Sequence, residues 1–439
     1  MRADYTTDVA VVGGGLAGLA AATYLARAGR RVVVFEQARA VGGRARSRAN
    51  QGFLFNLGPH ALYRGGPAEA VLRELGVSYR GAVPAFRAYG LRAGRLERLP
   101  TEPLGFLATG LFSPREKLAL AGWLARLWRL DPTALDAVPA RAWLEDGVSE
   151  PGLRPLLAML LRLTTFSNDP DRLSAGAALA QLRQALQRGV LYLDGGWQRL
   201  VDGLRHAAEA AGVRLVTGAR VSAVVHDDAV RGVRLADGWV WAADAVVLAL
   251  GPGAAAALVD WAAAARLRQW AAAAVPVRAA TLDVALGSLP NPRAPLVYGL
   301  DAPVYLSVHS AWARLAPPGG ALVHVMRYLG PEPPADPRAV ERELEALLDL
   351  AQPGWRAALV ARRFVPNLVV AHALPLAAQG GTRGRPGPAV PELPGLYVAG
   401  DWVGPEGLLA DASLASARRA AQQILAAPAR RPAALPASA

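Results

Sequence analysis

The sequence has no cysteine, a single lysine (Lys117) and only six histidines among its 439 residues. The absence of cysteine excludes disulfides, thiolate zinc sites, iron–sulfur clusters, cysteine nucleophiles and cofactors held through a cysteine thioether. The histidines are scattered along the chain, so we expect no metal site. Long apolar runs are also few. The uncharged stretch 9–26 is interrupted by glycines, and Asp4 and Asp8 occupy the place of a signal peptide's basic region. We therefore expect a cytoplasmic protein without a cleaved leader.

Negative charge is in deficit, because 48 Lys and Arg face 35 Asp and Glu, which gives a formal net charge of +13. The arginines are spread along the whole chain without a basic arm, a pattern that argues against nucleic-acid binding. A preference for anionic surfaces, lipid included, stays open. A hydrophobic content of 53% and a mean hydropathy of +0.21 are typical of a globular protein, and the length predicts two or three structural units.

The N-terminal residues predict a strand–helix–strand unit. Residues 8–13 form a short apolar run of the kind found in buried parallel strands. A turn and an Ala/Leu-rich helix follow over 13–30, with Gly29 ending the helix, and 31–36 form a second strand.

Two further strand-rich blocks follow later in the chain. The first has a helix at 197–211 and strands at 213–217, 221–226, 230–235, 240–241 and 245–250, and the second has a strand at 395–400 before a helix at 409–426. The intervening stretches combine helices at 114–130, 173–188 and 337–350 with strands at 278–286, 304–309 and 321–328. We predict an α/β fold in which a discontinuous Rossmann-type domain (1–85, 190–255 and 385–426) carries an inserted α+β substrate domain (86–189 and 256–384). The tail 427–439 is predicted to be disordered.

The segment Gly13-Gly14-Gly15-Leu16-Ala17-Gly18 fits the G-x-G-x-x-G pattern between a strand and a helix. Its glycines permit a tight turn, a close approach to a pyrophosphate and close helix–strand packing. Glu36 ends the next strand, 18 residues after Gly18, where a carboxylate accepts hydrogen bonds from ribose hydroxyls and repels a 2′-phosphate. Gly251-Pro252-Gly253 lacks the third glycine and is interpreted as a turn at a strand end, so no second dinucleotide site is predicted.

Three later motifs resemble one family. Gly42-Gly43-Arg44-Ala45, Asp194-Gly195-Gly196-Trp197 and Gly395-Leu396-Tyr397-Val398-Ala399-Gly400-Asp401 are similar, in this order, to elements of the FAD-dependent amine oxidase and phytoene desaturase superfamily. The resemblance implies that the Rossmann-type domain binds FAD, without a covalent bond. It implies cofactor contacts at Gly13, Gly15, Leu16, Ala17, Gly18, Glu36, Gln37, Gly43, Arg44, Gly58, Pro59, His60, Val221, Gly400, Asp401, Leu408, Leu409 and Ala410.

Two departures from the amine-oxidising members concern the substrate. Those enzymes place a lysine near the flavin N5 and an aromatic residue before the C-terminal helix. Here Lys117 lies in the first turn of a predicted helix, and Leu408-Leu409 stand in the aromatic position. Both departures favour an apolar substrate. His60 is the candidate polar group facing that substrate, and Tyr305 and His309, which share one face of a predicted strand, are two further candidates.

The leading interpretation is an FAD-dependent oxidoreductase that transfers hydride from a C–H bond of a small lipophilic molecule, such as a polyisoprenoid of the carotenoid type, to flavin N5. Oxygen, a quinone or another acceptor would reoxidise the flavin. Three alternatives stay open: an amine oxidase acting on a C–N bond, a non-redox flavin-dependent isomerase, and a basic scaffold that binds lipid or nucleic acid. Aromatic and basic residues are mixed over 104–130, as in helices that line an apolar tunnel or contact a membrane surface.

Overall fold

The computed structural model describes residues 5–84, 87–100, 109, 111–260 and 264–427. Its helices are α1 (Leu16–Arg27), α2 (Pro67–Glu74), α3 (Pro114–Leu127), α4 (Ala140–Gly147), α5 (Arg154–Thr165), α6 (Ala175–Arg188), α7 (Gln198–Ala210), α8 (Pro252–Ala256), α9 (Ala265–Ala273), α10 (Pro337–Ala351) and α11 (Leu409–Ala426). Its strands are β1 (Thr6–Val12), β2 (Val32–Glu36), β3 (Arg48–Asn50), β4 (Phe53–Phe55), β5 (Leu62–Tyr63), β6 (Gly81–Ala82), β7 (Ala88–Arg92), β8 (Arg95–Arg98), β9 (Val190–Leu193), β10 (Arg214–Thr217), β11 (Val221–His226), β12 (Val230–Leu235), β13 (Val240–Leu248), β14 (Val277–Leu286), β15 (Leu296–Gly299), β16 (Val304–Val308), β17 (Ala321–Tyr328), β18 (Leu359–Ala371) and β19 (Leu396–Val398).

The first sheet has a parallel centre in the order β10-β2-β1-β13, and β19 pairs in parallel with the second half of β13. The antiparallel strands β12 and β11 extend the sheet beside the first half of β13. The carboxyl ends of the parallel strands therefore meet at one edge, which is where open α/β sheets bind their ligands.

The central strands of this sheet are buried on both faces. Val9 and Val11 of β1 pack in one core with residues of α1, α7 and α11. Ala10 and Val12 pack in a second core with residues of β11, β12 and α9. This double burial explains why the sequence shows unbroken apolar runs instead of alternation.

The second sheet runs in the order β18-β14-β17-β16-β15-β7-β8 and is antiparallel except between β15 and β7. Alternate residues of β17 point to the two opposite faces of this sheet. Val323 and Val325 pack in a core with residues of α10. Met326 and Tyr328 belong to a different cluster on the opposite face. The sequence predicted mostly helix over 86–189 and therefore missed β7 and β8.

Two predictions about local structure were wrong. The strands predicted at 240–241 and 245–250 form one continuous strand, β13, which pairs with β1 from Ala242 to Leu248. Asp244 breaks the apolar run in the sequence, but the partner strand does not break there. The turn predicted at Gly251 to Gly253 begins helix α8, with Gly251 as N-cap and Pro252 in the first turn.

The other long predicted helices are present with slightly different ends, as α3, α6, α10 and α11. The domain boundaries drawn from the sequence stay a prediction. The tail after residue 427 and most of the stretch 104–110 lie outside the described residues.

Candidate active site

A cavity of about 760 Å³ lies between the carboxyl edge of the first sheet and the strands β17 and β18 of the second. Its walls bring together most of the residues that the sequence singled out. Those that line it are Gly13, Gly15, Leu16, Ala17, Glu36, Gln37, Gly43, Arg44, Pro59, His60, Val221, Gly400, Asp401, Leu409 and Ala410. Gly18, Gly58, Leu408, Tyr305 and His309 are not among the lining residues.

The glycine turn after β1 forms one wall of the cavity. Gly13 has a φ of +103°, and a Cβ there would lie 2.6 Å from the carbonyl oxygen of Ala249. A Cβ on Gly18 would lie 1.9 Å from the carbonyl oxygen of Gly13, so Gly18 allows α1 to pack against the turn instead of contacting a ligand. A Cβ on Gly15 would meet no atom within 4 Å. The space above Gly15 is therefore left for a ligand beside the first turn of α1, whose N–H groups have no partner within the helix.

Glu36 is held rigidly at the end of β2. Its Oε2 accepts a hydrogen bond from the Gly14 N–H at 2.8 Å, and its Oε1 accepts one from the Ala38 N–H at 2.8 Å. The Ala219 N–H donates to the Glu36 carbonyl oxygen at 3.0 Å, which places the Val221 segment beside it. Because a carboxylate has further acceptor sites, Glu36 can still bind ribose hydroxyls.

Arg44 and Asp401, predicted as separate cofactor contacts, form an ion pair. The Arg44 Nη1 donates to Asp401 Oδ2 and to the Val370 carbonyl oxygen, both at 2.8 Å. Burial alone would raise the pKa of the Asp401 carboxyl, but the Arg44 charge and the hydrogen bond from His372 bring it well below its usual range. Asp401 is therefore an anion in the cavity wall, where the Arg44 guanidinium balances its charge.

His372 completes this cluster and was missed in the sequence. Its Nδ1 lies 2.9 Å from Asp401 Oδ1, and its backbone N–H donates to Asp401 Oδ2 at 3.2 Å. A Cβ on Gly251 would come within 2.6 Å of the His372 ring, so the glycine admits the imidazole. No local signal marks His372, because its partners Asp401 and Arg44 lie 29 and 328 positions away in sequence.

His60 lies at the other end of the cavity, beyond the turn at Gly58. Gly58 has a φ of +73°, and a Cβ there would meet the Thr281 side chain at 2.8 Å. The His60 Nδ1 is 3.1 Å from the Gly58 carbonyl oxygen, and the ring packs edge-on against Trp197. Burial lowers the pKa of His60 to about 4, so the imidazole is neutral at neutral pH.

The walls around this end carry apolar side chains from distant segments. They are Leu57, Ala61, Phe166, Met326, Leu368, Val370 and Leu409. Except for Leu409, which the sequence motifs had indicated, these residues escaped the sequence analysis because an apolar residue in a cavity wall resembles one in an ordinary core. Apart from His60, the ionisable side chains that line the cavity fall into two groups. Glu36 and Arg220 lie at the end of the cavity near Val221, and Arg44, His372 and Asp401 form the cluster described above.

The helix α11 begins at the cavity, as the sequence predicted for its C-terminal motif. Leu408 is the N-cap and has no side-chain hydrogen bond to the helix. Leu409, with a φ of +54°, and Ala410 line the cavity, whereas Leu408 is buried beside it. The positive end of the helix dipole therefore faces the cavity and favours negative charge there.

Tyr305 and His309 lie behind the cavity wall instead of lining it. The Tyr305 hydroxyl is 2.8 Å from the Tyr192 hydroxyl, and the His309 ring stacks on Tyr192 with centroids 3.9 Å apart. The His309 Nε2 is 3.3 Å from the His60 carbonyl oxygen. Both residues contact Tyr192, but β16 ends at Val308, so His309 does not lie on the strand as the sequence predicted. His309 supports His60 from behind, and Tyr305 supports Tyr192.

The residues of the cavity fit an adenine dinucleotide. Gly15 leaves open space at a helix N-terminus for a diphosphate, Glu36 offers acceptors to a ribose, and the α11 terminus lies at the opposite end. Over the described ranges, the structure shows no group of three or more His, Asp or Glu side chains able to hold a metal ion. None of the described helices is long and apolar enough to cross a membrane.

The family model of flavin-containing amine oxidoreductases matches residues 16–425 of the chain. The chain therefore belongs to this family of flavin-containing oxidoreductases, which confirms the resemblance seen in the sequence motifs. Membership of a flavin-containing family sets aside the alternative of a scaffold without a cofactor.

The sequence identity between the chain and individual relatives is low. The chain is 33% identical over 245 residues to a putative flavin-containing monoamine oxidase, AofH, of Mycobacterium tuberculosis, covering 49% of this chain and 50% of that protein. It is 26% identical over 286 residues to 4,4'-diaponeurosporene oxygenase of Staphylococcus aureus, covering 55% of each. The chain thus matches about half the length of these curated relatives. A solved oxidoreductase from Methanosarcina mazei shares the fold, with a TM-score of 0.75, 21% identity and coverage of 95% of this chain and 99% of that one.

Proposed function

We propose that the protein oxidises a C–H bond of a lipophilic, uncharged substrate of the polyisoprenoid type, using non-covalently bound FAD. When bound, FAD accepts the hydride that the substrate carbon loses, while a proton leaves the adjacent carbon. The chain's part is to bind the hydrocarbon, exclude water and fix its orientation at the His60 end of the cavity.

The apolar walls at that end carry this proposal. Phe166, Met326 and Leu368 approach from three separate segments and offer no hydrogen-bonding group to a polar substrate. His60 is neutral there because burial lowers its pKa to about 4, so it can orient a substrate without attracting an ion. Such a lining stabilises an apolar molecule in proportion to the surface that it removes from water.

Oxidation of a C–N bond is the second candidate, because one relative is named as a monoamine oxidase and the family as amine oxidoreductases. The only lysine, Lys117, lies on α3 and does not line the cavity. The other relative is named as an oxygenase of 4,4'-diaponeurosporene. The name of the first relative thus favours oxidation of a C–N bond, and the name of the second favours oxidation of a polyisoprenoid.

Contact with an anionic membrane surface is a further part of the proposal. Helix α3 exposes an apolar face to solvent, in which Leu118 is 76% exposed and Leu124 and Trp128 are also exposed. Arginines flank this face at positions 115, 126 and 129. The acid Glu116 is engaged in the capping box with Ser113. An apolar stripe bordered by cations is typical of helices that rest on anionic lipid.

Anaerobic mixing of the flavin-loaded protein with candidate substrates tests the reaction. We expect bleaching of the flavin absorbance by polyisoprenoid hydrocarbons in detergent and none by simple primary amines. Bleaching by amines alone would replace the first candidate with the second. Conversion of the hydrocarbon without net electron transfer would indicate the non-redox isomerase instead.

A further inference from the structure

A second cavity of about 370 Å³ opens on the surface between the end of β17 and the first turns of α10. We call it the outer pocket. It is lined by Asn168, Arg327, Tyr328, Leu329, Gly330, Glu332, Pro334, Ala335, Asp336, Ala339, Val340 and Glu343. It shares no lining residue with the 760 Å³ cavity of the candidate active site, which we call the cofactor cavity. Two chain segments nevertheless contribute neighbouring residues to both cavities.

The first of these segments is the end of β17. Met326 lines the cofactor cavity, and Tyr328, two residues later on the same face of the strand, lines the outer pocket. The second segment follows α5, where Phe166 lines the cofactor cavity and Asn168 lines the outer pocket. The two spaces are therefore separated by a layer of side chains from these two segments.

Phe166 and Tyr328 make up that layer. Their ring centroids are 6.2 Å apart with an interplanar angle of 60°, an edge-to-face contact. The Tyr328 ring is backed by Arg162, whose guanidinium carbon lies 5.8 Å from the ring centroid. Arg162 is itself held by a hydrogen bond of 2.8 Å to the Gly299 carbonyl oxygen. Tyr328 is thus held from behind by a cation that is itself anchored, whereas Phe166 comes from the turn that ends α5.

The backbone at Phe166 supports this distinction. Its φ is +60° and its ψ is 7°, the left-handed conformation that usually falls to glycine after a helix. The Phe166 N–H closes the end of α5 on the Arg162 carbonyl oxygen at 2.8 Å. A bulky residue kept in a conformation that glycine adopts more easily is a feature that clusters at ligand clamps and switches.

The charges of the outer pocket restrict what enters it. Three carboxylates and one guanidinium lie in the lining: Glu343 is paired with Arg327, Asp336 lies 3.6 Å from Arg342, and Glu332 adds a further negative charge. The lining itself therefore carries more negative than positive charge, on a protein with a net charge of +13. Like-charge repulsion in such a cleft disfavours anions and admits neutral or cationic molecules.

We infer that the outer pocket is the entrance to the cofactor cavity, that Phe166 and Tyr328 form the gate between them, and that this entrance rejects molecules with an anionic head group. The inference rests on the proposed function in one respect: it narrows the proposed lipophilic substrates to molecules without an anionic head group. A hydrocarbon or a neutral terpenoid passes such an entrance, whereas a fatty acid or an isoprenoid diphosphate is repelled.

Collisional quenching of the flavin fluorescence in the loaded protein tests the gate without any turnover. Acrylamide serves as the neutral probe and iodide as the anionic probe. We expect Phe166→Ala and Tyr328→Ala to raise the acrylamide quenching constant severalfold, and Tyr328→Phe, which keeps the ring, to leave it unchanged. The matched control is Leu163→Ala, which removes bulk from the same cluster but lines neither cavity.

The charge of the entrance has its own signature. Glu332→Gln, an exposed substitution, is expected to raise iodide quenching by about twofold at low salt and to leave acrylamide quenching unchanged. A crystal structure of Phe166→Ala should show the two cavities joined. The gate is disproved if neither alanine variant exceeds the Leu163→Ala control in acrylamide quenching, and the charge filter is disproved if Glu332→Gln moves both probes equally. Neither result depends on whether hydrocarbons or amines reduce the flavin.

Discussion

At the end of the cofactor cavity beside Glu36, much of the wall is backbone, formed by glycine turns and by the N–H groups at the start of α1. The Glu36 carboxylate completes this wall and is fixed by two backbone amides. The glycine turns and Glu36 all lie within residues 13–43. At the end beside His60, the walls are side chains drawn from separate segments of the chain, between positions 57 and 409. The first end is specified locally and tolerates little change in the backbone. The second end depends on how the two sheets meet, so single side chains can change there and alter what is bound.

The largest contrast is expected within the glycine turn itself. Gly18→Ala places a Cβ against the Gly13 carbonyl oxygen and should destabilise the protein by more than about 3 kcal/mol. Gly15→Ala, the matched variant, meets no protein atom and should change the stability of the cofactor-free protein by less than about 0.5 kcal/mol. It should nevertheless weaken FAD binding by about tenfold or more, because the methyl group fills the ligand space. Urea unfolding and FAD titration measure the two effects, and equal FAD affinity in Gly15→Ala and the unmodified protein would refute the assignment.

Asp401 lies between the two ends, and its removal should have the next largest effect. Asp401→Asn leaves Arg44 and His372 without their anion and should cost about 3 kcal/mol of unfolding free energy. Asp171→Asn, which breaks the exposed pair with Arg141, is the control and should cost less than about 1 kcal/mol. Because the pKa of Asp401 is lowered, its contribution is present above the ordinary carboxyl value of 3.8 and is lost only as the pH falls further. Similar losses for the two variants in urea unfolding would contradict this prediction.

The contribution of His60 to the unfolding free energy should depend on pH. The unfolded chain takes up a proton near the ordinary histidine pKa of 6.5, whereas folded His60 does so only at about 4. Stability should therefore fall as the pH is lowered from 6.5 to 4, by about 2 kcal/mol from this residue. The unfolding free energy of His60→Gln, followed over the same range, should fall by that much less. An identical pH dependence in both proteins would show that His60 is not buried as the structure describes.

The smallest effect is expected at the surface of α3. Leu118→Ser combined with Trp128→Ser should lower binding to vesicles containing anionic lipid by about tenfold and leave the flavin spectrum unchanged. Trp239→Ser, which removes an exposed tryptophan near the first sheet, is the control and should bind as before. Sedimentation with vesicles provides the measurement. Unchanged binding in the double variant would remove α3 from the membrane proposal.

The same comparison explains what the sequence could and could not predict. The G-x-G-x-x-G turn, Glu36 and the start of α11 are local patterns, and the structure brings them to one cavity. Phe166 and Met326 could not be found, because an apolar residue that lines a cavity has the same sequence context as one in a core. The contacts of Arg44 with Asp401 and with His372 span more than three hundred positions, for which one sequence carries no signal.

The cluster around Asp401 also has a consequence for how the cofactor cavity is completed. Arg44 follows β2 and His372 follows β18, so both precede in the chain the single carboxylate that bonds to each of them. A chain that ended before residue 401 would lack the carboxylate that pairs with the Arg44 guanidinium where the two sheets meet. Completion of the cofactor cavity therefore depends on the segment that leads into α11, which supplies this carboxylate.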